Sequence, residues 1–73
     1  MTDVLWMGEA PEECQLCNAK IEHVFVDGKI EFSGAWAIMC PACALLNGVG
    51  LGEGKGQFYG RLSKKDDFRK IKG

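Results

Sequence analysis

Two C-x-x-C pairs constrain this chain more than any other feature of its 73 residues. Cys14 and Cys17 form the first pair, Cys40 and Cys43 form the second, and 22 residues lie between them. Each C-x-x-C spacing makes a tight turn that directs two sulfurs to one point, so four thiolates can close a tetrahedral shell around one ion. The spacing predicts one structural zinc ion held by these four cysteines.

The length of the chain makes such a site important for stability. A chain this short buries too small a share of its surface to be stable by packing alone, so a metal, disulfides or a partner must contribute. No apolar run approaches the roughly 20 residues that span a bilayer, and residues 1–7 lack the pattern of a secretory signal. We therefore expect a cytoplasmic protein without a membrane partner. Cytosolic thiols are kept reduced, which favours a metal over structural disulfides.

The residues between the two cysteine pairs have the pattern of a β-hairpin. Asp27 and Gly28 suit a two-residue turn, which predicts strands over residues 20–26 and 29–33. The register of that turn puts five side chains on the core face: Ile21, His23, Phe25, Ile30 and Phe32. A third strand, residues 35–39, then leads to Cys40 and places Trp36 in the core.

The rest of the chain completes a single domain over residues 1–73. A further strand is predicted for residues 57–62, and the three-residue spacing of Phe68 and Ile71 predicts a short helix from Ser63, with a frayed tail as the alternative. Residues 1–8 are an apolar N-terminal segment whose Trp6 is expected to fold back on the core, with a partner anchor as the alternative. Residues 14–62 form the core and 63–73 a basic tail. The fold class is small, metal-stabilised and mostly β, zinc-ribbon-like with two cysteine knuckles.

Every second residue from Gly48 to Gly56 is glycine. The run lacks the glycine and hydroxyl positions of a Walker loop, and its spacing does not fit the dinucleotide fingerprint, so no nucleotide cofactor is expected. An extended run would leave one face without side chains and allow another backbone to approach closely, which is the interpretation we favour. A loop whose amides form an anion nest is the alternative.

Charge divides the chain into two parts. Residues 1–54 carry two lysines against eight acidic residues, a net charge of −6, whereas residues 55–73 have a net charge of +5. The basic end and its two aromatic residues form a candidate partner or nucleic-acid surface: Lys55, Phe58, Tyr59, Arg61, Lys64 and Lys65. The alternative is a solvated tail that offsets the acidic front.

Two stretches resemble a known group of proteins. Residues 34–43, which read GAWAIMCPAC, and residues 48–59, which read GVGLGEGKGQFY, resemble small zinc-ribbon proteins of tailed bacteriophages and prophages. The resemblance covers about residues 14–59. In that group a histidine often follows the last cysteine and Thr or Ser interrupts the glycines, where this chain has Ala44 and Glu53. The resemblance implies a zinc ribbon, a phage or prophage origin and the host cytoplasm, and it implies no activity.

These features favour a binding module over an enzyme. A closed four-thiolate shell leaves no position for a substrate, and no nucleophile with a paired base is recognisable. The small net charge favours a host protein as partner, with a nucleic-acid-binding zinc ribbon as the alternative. A rubredoxin-like iron electron carrier is a further alternative, because four thiolates also hold iron. Rubredoxin knuckles continue with glycine after the second cysteine, whereas this chain has Asn18 and Ala44, which favours zinc.

Overall fold

The computed structural model describes residues 4–73. This part of the chain contains four strands and one short helix, joined by turns and loops. The elements, in chain order, are β1 (Val24–Lys29), β2 (Trp36–Met39), α1 (Pro41–Asn47), β3 (Gly56–Gly60) and β4 (Arg69–Lys72). The strands form one antiparallel sheet in the order β2-β1-β3-β4. This confirms the predicted small, mostly β fold. Within residues 4–73, no helix has the length and hydropathy to cross a membrane.

Two small apolar clusters lie on opposite faces of the sheet. Successive residues of a strand point to opposite faces, so Phe25 and Val26 of β1 enter different clusters. The first cluster, which we call the metal-side core, contains Cys14, Val26, Ile30, Ala37 and Met39. The second, the aromatic core, contains Ile21, Phe25, Tyr59 and Phe68.

The predicted β-hairpin turn at Asp27 and Gly28 is wrong. Both residues lie within β1, where Gly28 pairs with Ala37 on one side and with Gly56 on the other. The chain reverses at residues 31–35 instead. The dipeptide suits a turn locally, but two neighbouring strands pair with it here and outweigh that preference.

The shift of the turn changes the predicted core face. Ile21, Phe25 and Ile30 are buried, but they do not share one face, because Ile30 lies in the metal-side core and the other two lie in the aromatic core. His23 is exposed, and Phe32, now in the turn, is 81% exposed. Trp36, expected in the core, is 48% exposed.

The C-terminal part forms a strand, so the predicted short helix and its alternative, a frayed tail, are both wrong. β4 pairs with β3 on one side, and on the other side the amide of Lys70 donates to the Val4 carbonyl at 2.7 Å. Phe68, just before β4, is buried in the aromatic core. A helix of one or two turns is marginal in water, and pairing on both edges is the stronger alternative.

Trp6 folds back on the core, which confirms the prediction. Its ring meets Phe25 edge-on at 5.1 Å and Tyr59 edge-on at 5.4 Å between centroids. Its amide donates to the Phe68 carbonyl at 2.9 Å. The described part of the predicted N-terminal segment therefore covers the aromatic core, and residues 1–3 of that segment lie outside the described residues.

The glycine-rich run is a loop and not the extended segment that we favoured. Gly50, Gly52 and Gly54 have φ values of 113°, 130° and 77°, which L side chains rarely adopt. Close backbone approach occurs at the two ends of the run. A Cβ on Gly48 would lie 2.6 Å from the Ala44 carbonyl oxygen, and a Cβ on Gly56 would lie 2.7 Å from the Gly50 carbonyl oxygen and 3.4 Å from the Gly28 Cα. The glycines thus serve mainly to shape a turn before β3.

Candidate metal centre

The fold brings the four predicted cysteines together. Their Sγ atoms all lie within 4.8 Å of one another. Cys14 and Cys17 come from the segment before β1, Cys40 follows β2, and Cys43 lies in α1. The site therefore joins two parts of the chain that are distant in sequence, the segment before β1 and the junction of β2 with α1.

The first pair forms a tight knuckle. The Cys14 amide donates to the Ala19 carbonyl at 2.8 Å, and the Asn18 amide donates to the Cys14 carbonyl at 2.9 Å. Asn18 has a φ of 63°, the left-handed conformation that glycine adopts freely and asparagine tolerates. Asn18 therefore supplies the conformation for which glycine is used in rubredoxin knuckles, and this substitution does not distinguish zinc from iron.

The second pair lies at the start of α1 instead of in a second knuckle. Cys40 is the N-cap of the helix, Pro41 is its first residue, and the Ala44 amide donates to the Cys40 carbonyl at 3.0 Å. Proline has no amide hydrogen to lose at that position, and its fixed φ favours the first helical turn. One turn of helix therefore brings the Cys43 sulfur to the site.

Hydrogen bonds prepare one sulfur to be a thiolate. Cys14 is fully buried, and burial by itself raises the pKa of a thiol. The groups that donate to its sulfur, chiefly from the backbone of Cys17, Cys40 and Leu16, outweigh that burial and lower the pKa of Cys14 to about 6. The Leu16 amide is 3.4 Å from this sulfur. The backbone around Cys14 thus favours its thiolate, the form in which a cysteine binds a metal ion.

The pKa of Cys43 shifts in the opposite direction from that of Cys14. The hydrogen bond between the side chains of Cys43 and Cys17, followed by burial, raises the pKa of Cys43 to about 12. A bound cation reverses this preference, because a coordinating thiol is deprotonated. The donor set is therefore suited to a divalent ion that neutralises several thiolates at once.

Two of the sulfurs lie at the spacing expected around a tetrahedral ion. Zinc–sulfur bonds of about 2.3 Å place the sulfurs of a tetrahedron about 3.8 Å apart. The Sγ atoms of Cys17 and Cys40 lie 3.7 Å apart. The four cysteines can hold a metal ion, as expected of a structural metal-binding module, and iron in four thiolates shares this geometry.

A residue that sequence reasoning missed connects the first knuckle to the sheet. The backbone N–H of Gln15 donates to the Ile38 carbonyl at 2.9 Å, and the backbone N–H of Ile38 donates to the side-chain Oε1 of Gln15 at 2.7 Å. These two hydrogen bonds pair Gln15, which lies inside the first C-x-x-C, with the outer edge of β2 as a neighbouring strand would be paired. No sequence signal marks this contact, because it depends on the knuckle folding beside β2.

The predicted partner surface is not assembled as one surface. Phe58 and Tyr59 are neighbours on β3 and therefore point to opposite faces. Phe58 packs against the metal-side core, and Tyr59 is 5% exposed and stacked on Phe25 at 5.1 Å. Phe58 and Tyr59 therefore do not form an exposed pair of rings for base stacking.

The basic residues of that surface are also dispersed. Lys55 and Arg61 flank the two ends of β3, and Lys65 is exposed in the segment after it. The Arg61 guanidinium lies 4.2 Å from the Phe68 ring centroid and donates through Nε to the Glu22 carbonyl at 2.8 Å. Lys64 pairs with the Glu22 carboxylate at 3.1 Å, and this contact holds the pKa of Glu22 below its usual value. Two of the predicted cations thus connect the basic end to the acidic front.

An exposed apolar surface beside the metal centre was also missed. Leu45 and Leu46 of α1 are 85% and 79% exposed, next to a groove between the helix, the sheet and the glycine loop. The sequence signal was the absence of charge in residues 33–52.

Comparisons of the chain with protein-family models, with curated proteins and with solved structures found no match.

Proposed function

We propose that this chain is a structural-zinc binding module, encoded by a phage or prophage, that presents a surface to a host protein. The observation that carries the metal role is the cluster of four Sγ atoms within 4.8 Å of one another. Four protein thiolates complete a tetrahedral shell and leave no position for a substrate, which supports a structural and not a catalytic ion. The fully buried Cys14 belongs to both the site and the metal-side core, which supports a role in folding.

The way the cysteines connect separate segments supports zinc over rubredoxin-like iron. The first knuckle, the end of β2 and the first turn of α1 all meet at this site. Zinc has no redox chemistry and suits a site whose task is to connect segments. The zinc is thus proposed to position the surrounding surfaces.

Exposed aromatic residues support a protein partner. Phe32 and Trp36, in and beside the turn between β1 and β2, are 81% and 48% exposed. Large aromatic side chains dominate many protein interfaces, whereas nucleic-acid binding depends on cations for phosphates. No charged residue follows Phe32 until Glu53. The resemblance to phage and prophage zinc ribbons supports the host cytoplasm as the location of this partner.

Elemental analysis of the protein purified under reducing conditions tests the metal role. We expect one zinc per chain and a colourless solution, and Cys17→Ser should reduce the bound zinc sharply. A red protein with one iron per chain would establish the iron alternative and refute the zinc proposal. Less than one metal per ten chains in a reduced, folded sample would refute the metal site itself.

Capture from a bacterial lysate tests the partner surface. Phe32→Ser should lose the captured host protein, whereas Leu62→Ser, which changes a 94% exposed leucine elsewhere, should retain it. Equal capture by both variants contradicts this surface. Nucleic-acid retardation in a gel at low salt, where phosphate contacts are strongest, would favour the nucleic-acid alternative.

A further inference from the structure

The four cysteines of the candidate metal centre differ in their access to solvent. Cys14 is fully buried, Cys40 and Cys43 are partly buried, and Cys17 is exposed. The residues on either side of Cys17 in the chain are exposed as well. A reagent in solution therefore reaches Cys17 more easily than the other three cysteines.

Cys14, the other cysteine of the first knuckle, is protected in two ways. Its side chain belongs to the metal-side core together with Val26 and Met39. The backbone N–H of Leu16 also donates to its sulfur at 3.4 Å. Structural cysteines that are buried in this way are inert towards reagents in solution. The first knuckle thus contains one shielded sulfur and one accessible sulfur.

A second sulfur lies next to the accessible one. Cys40 Sγ is 3.7 Å from Cys17 Sγ, so the two atoms need to approach by about 1.7 Å to reach the S–S bond length of about 2.0 Å. The hydrogen bonds between Gln15 and Ile38 lie two residues before these cysteines in each segment. This contact joins the two segments without an ion and so helps to keep the two sulfurs close.

We propose that Cys17 is an oxidation site for hydroperoxides and that Cys40 is the sulfur that closes a disulfide with it. An accessible thiolate beside a second thiol is the arrangement typical of redox-sensitive cysteines. Disulfides in reducing compartments are mostly transient and often redox-sensing, which agrees with the location proposed above. The inference rests on the proposed function in one respect, because loss of the structural zinc accompanies the oxidation.

The reaction balances on two sulfurs and one molecule of hydrogen peroxide. The Cys17 thiolate attacks one oxygen, the O–O bond breaks, and a sulfenic acid and a hydroxide form. The Cys40 thiolate then attacks the sulfenic sulfur, the S–O bond breaks, and a second hydroxide leaves as the disulfide forms. The two sulfurs lose two electrons in total, and the peroxide gains them. Cys14 and Cys43 alone no longer complete a four-thiolate shell, so the ion should be released.

Two measurements on the zinc-loaded wild type locate the reacting sulfurs without removing a metal ligand. A limiting amount of iodoacetamide should alkylate Cys17 before the other cysteines. In the second measurement, hydrogen peroxide is added in a stoichiometric amount and the remaining thiols are alkylated. Trypsin then separates the two cysteine pairs, because it cuts after Lys20 and Lys29. The expected disulfide joins the two peptides, and fragmentation should place the alkyl groups on Cys14 and Cys43.

Zinc release during the peroxide treatment should match disulfide formation, with one ion for each cross-link. Met7→Leu is the control, because Met7 is 85% exposed and methionine also reacts with peroxide. This variant should release zinc at the wild-type rate, and slower release would overturn the proposal. First alkylation at another cysteine, or a disulfide between any pair other than Cys17 and Cys40, would also overturn it.

The zinc content measured before the treatment separates this inference from the proposed function. A reduced chain without zinc would refute the metal role and, with it, the release of zinc by oxidation. In a chain that holds one zinc, a different alkylation order or disulfide map refutes the oxidation site and leaves the metal role intact.

Discussion

The Sγ atoms of Cys17 and Cys40 lie 3.7 Å apart, although the two residues are 23 positions apart in sequence. This approach brings the first knuckle against the end of β2. Cys14 of the same knuckle shares the metal-side core with Met39, and Cys40 packs against that cluster. The cysteine cluster and the metal-side core are therefore parts of one structure.

Removal of the metal should unfold the protein. The sulfurs repel one another once more than one is ionised, and the small core offers little to compensate. We expect a strong chelator to collapse the dispersed amide spectrum, and added zinc to restore it. A dispersed spectrum that survives chelation, with metal loss verified by elemental analysis, would contradict the coupling of folding to metal binding.

Gly56→Ala should be strongly destabilising. A Cβ at Gly56 would lie 2.7 Å from the Gly50 carbonyl oxygen, and backbone cannot move aside as a side chain can. We expect a loss of roughly 2 to 3 kcal/mol in urea unfolding. Gly54→Asn is the control, because a Cβ there meets nothing within 4 Å and asparagine tolerates its φ of 77°. Equal losses would show that close approach at Gly56 is unimportant.

Arg61→Ala should destabilise the end of β3. The change removes the contact with the Phe68 ring and the hydrogen bond to the Glu22 carbonyl. These contributions together amount to about 2 kcal/mol, measured by thermal or urea unfolding. Lys65→Ala, at an exposed cation nearby, should change stability by less than about 0.5 kcal/mol. A similar effect from both changes would mean that Arg61 acts only through its charge.

Asp27→Asn should stabilise the protein at neutral pH. Burial raises the pKa of Asp27, so the ionised carboxylate is less favourable in the folded state than in the unfolded one. The gain is below about 1 kcal/mol, because the group is only partly buried and solvent screens it. It should shrink as the pH falls through the raised pKa and vanish below the ordinary carboxyl pKa, where Asp27 is protonated in both states. Parallel urea unfolding of both proteins across this range measures the difference.

The same variant offers an independent check at alkaline pH. Burial, and after it the charge of Asp27, raises the pKa of Tyr59. Asp27→Asn should therefore lower the pKa of Tyr59, which the phenolate absorbance reports directly because the chain has one tyrosine. An unchanged tyrosine titration would show that the two side chains do not interact.

The sequence was most informative where chemistry depends on residue type and short spacing. The two C-x-x-C pairs predicted the cysteine cluster because each pair is a local turn. Trp6 was assigned to the core because a small domain gains much by burying an indole. The strand before Cys40 was also predicted within one residue of its observed start.

The rest of the fold depends on pairing between segments that are distant in sequence, which limited what the sequence could predict. Asp27 and Gly28 carry a strong local turn signal, yet Gly28 is needed where β1 passes close to Gly56, and a local pattern contains no information on that partner. The spacing of Phe68 and Ile71 suits a helix, but β3 and Val4 offer backbone partners on both sides of this segment. Successive side chains of β3 also point to opposite faces of the sheet, which separates Phe58 from Tyr59. A surface predicted from residue types alone does not take this separation into account.

The pairing of Gln15 with Ile38 has a consequence for solubility. Both polar groups of the Ile38 backbone are satisfied by a residue of the first knuckle. An ion that holds this knuckle in place would therefore also keep a strand edge from pairing with other molecules. Loss of the ion releases that edge together with the apolar side chains beneath it. Metal depletion should therefore produce aggregates through β2 as well as unfolded monomers, and a bound metal would protect the protein against such aggregation.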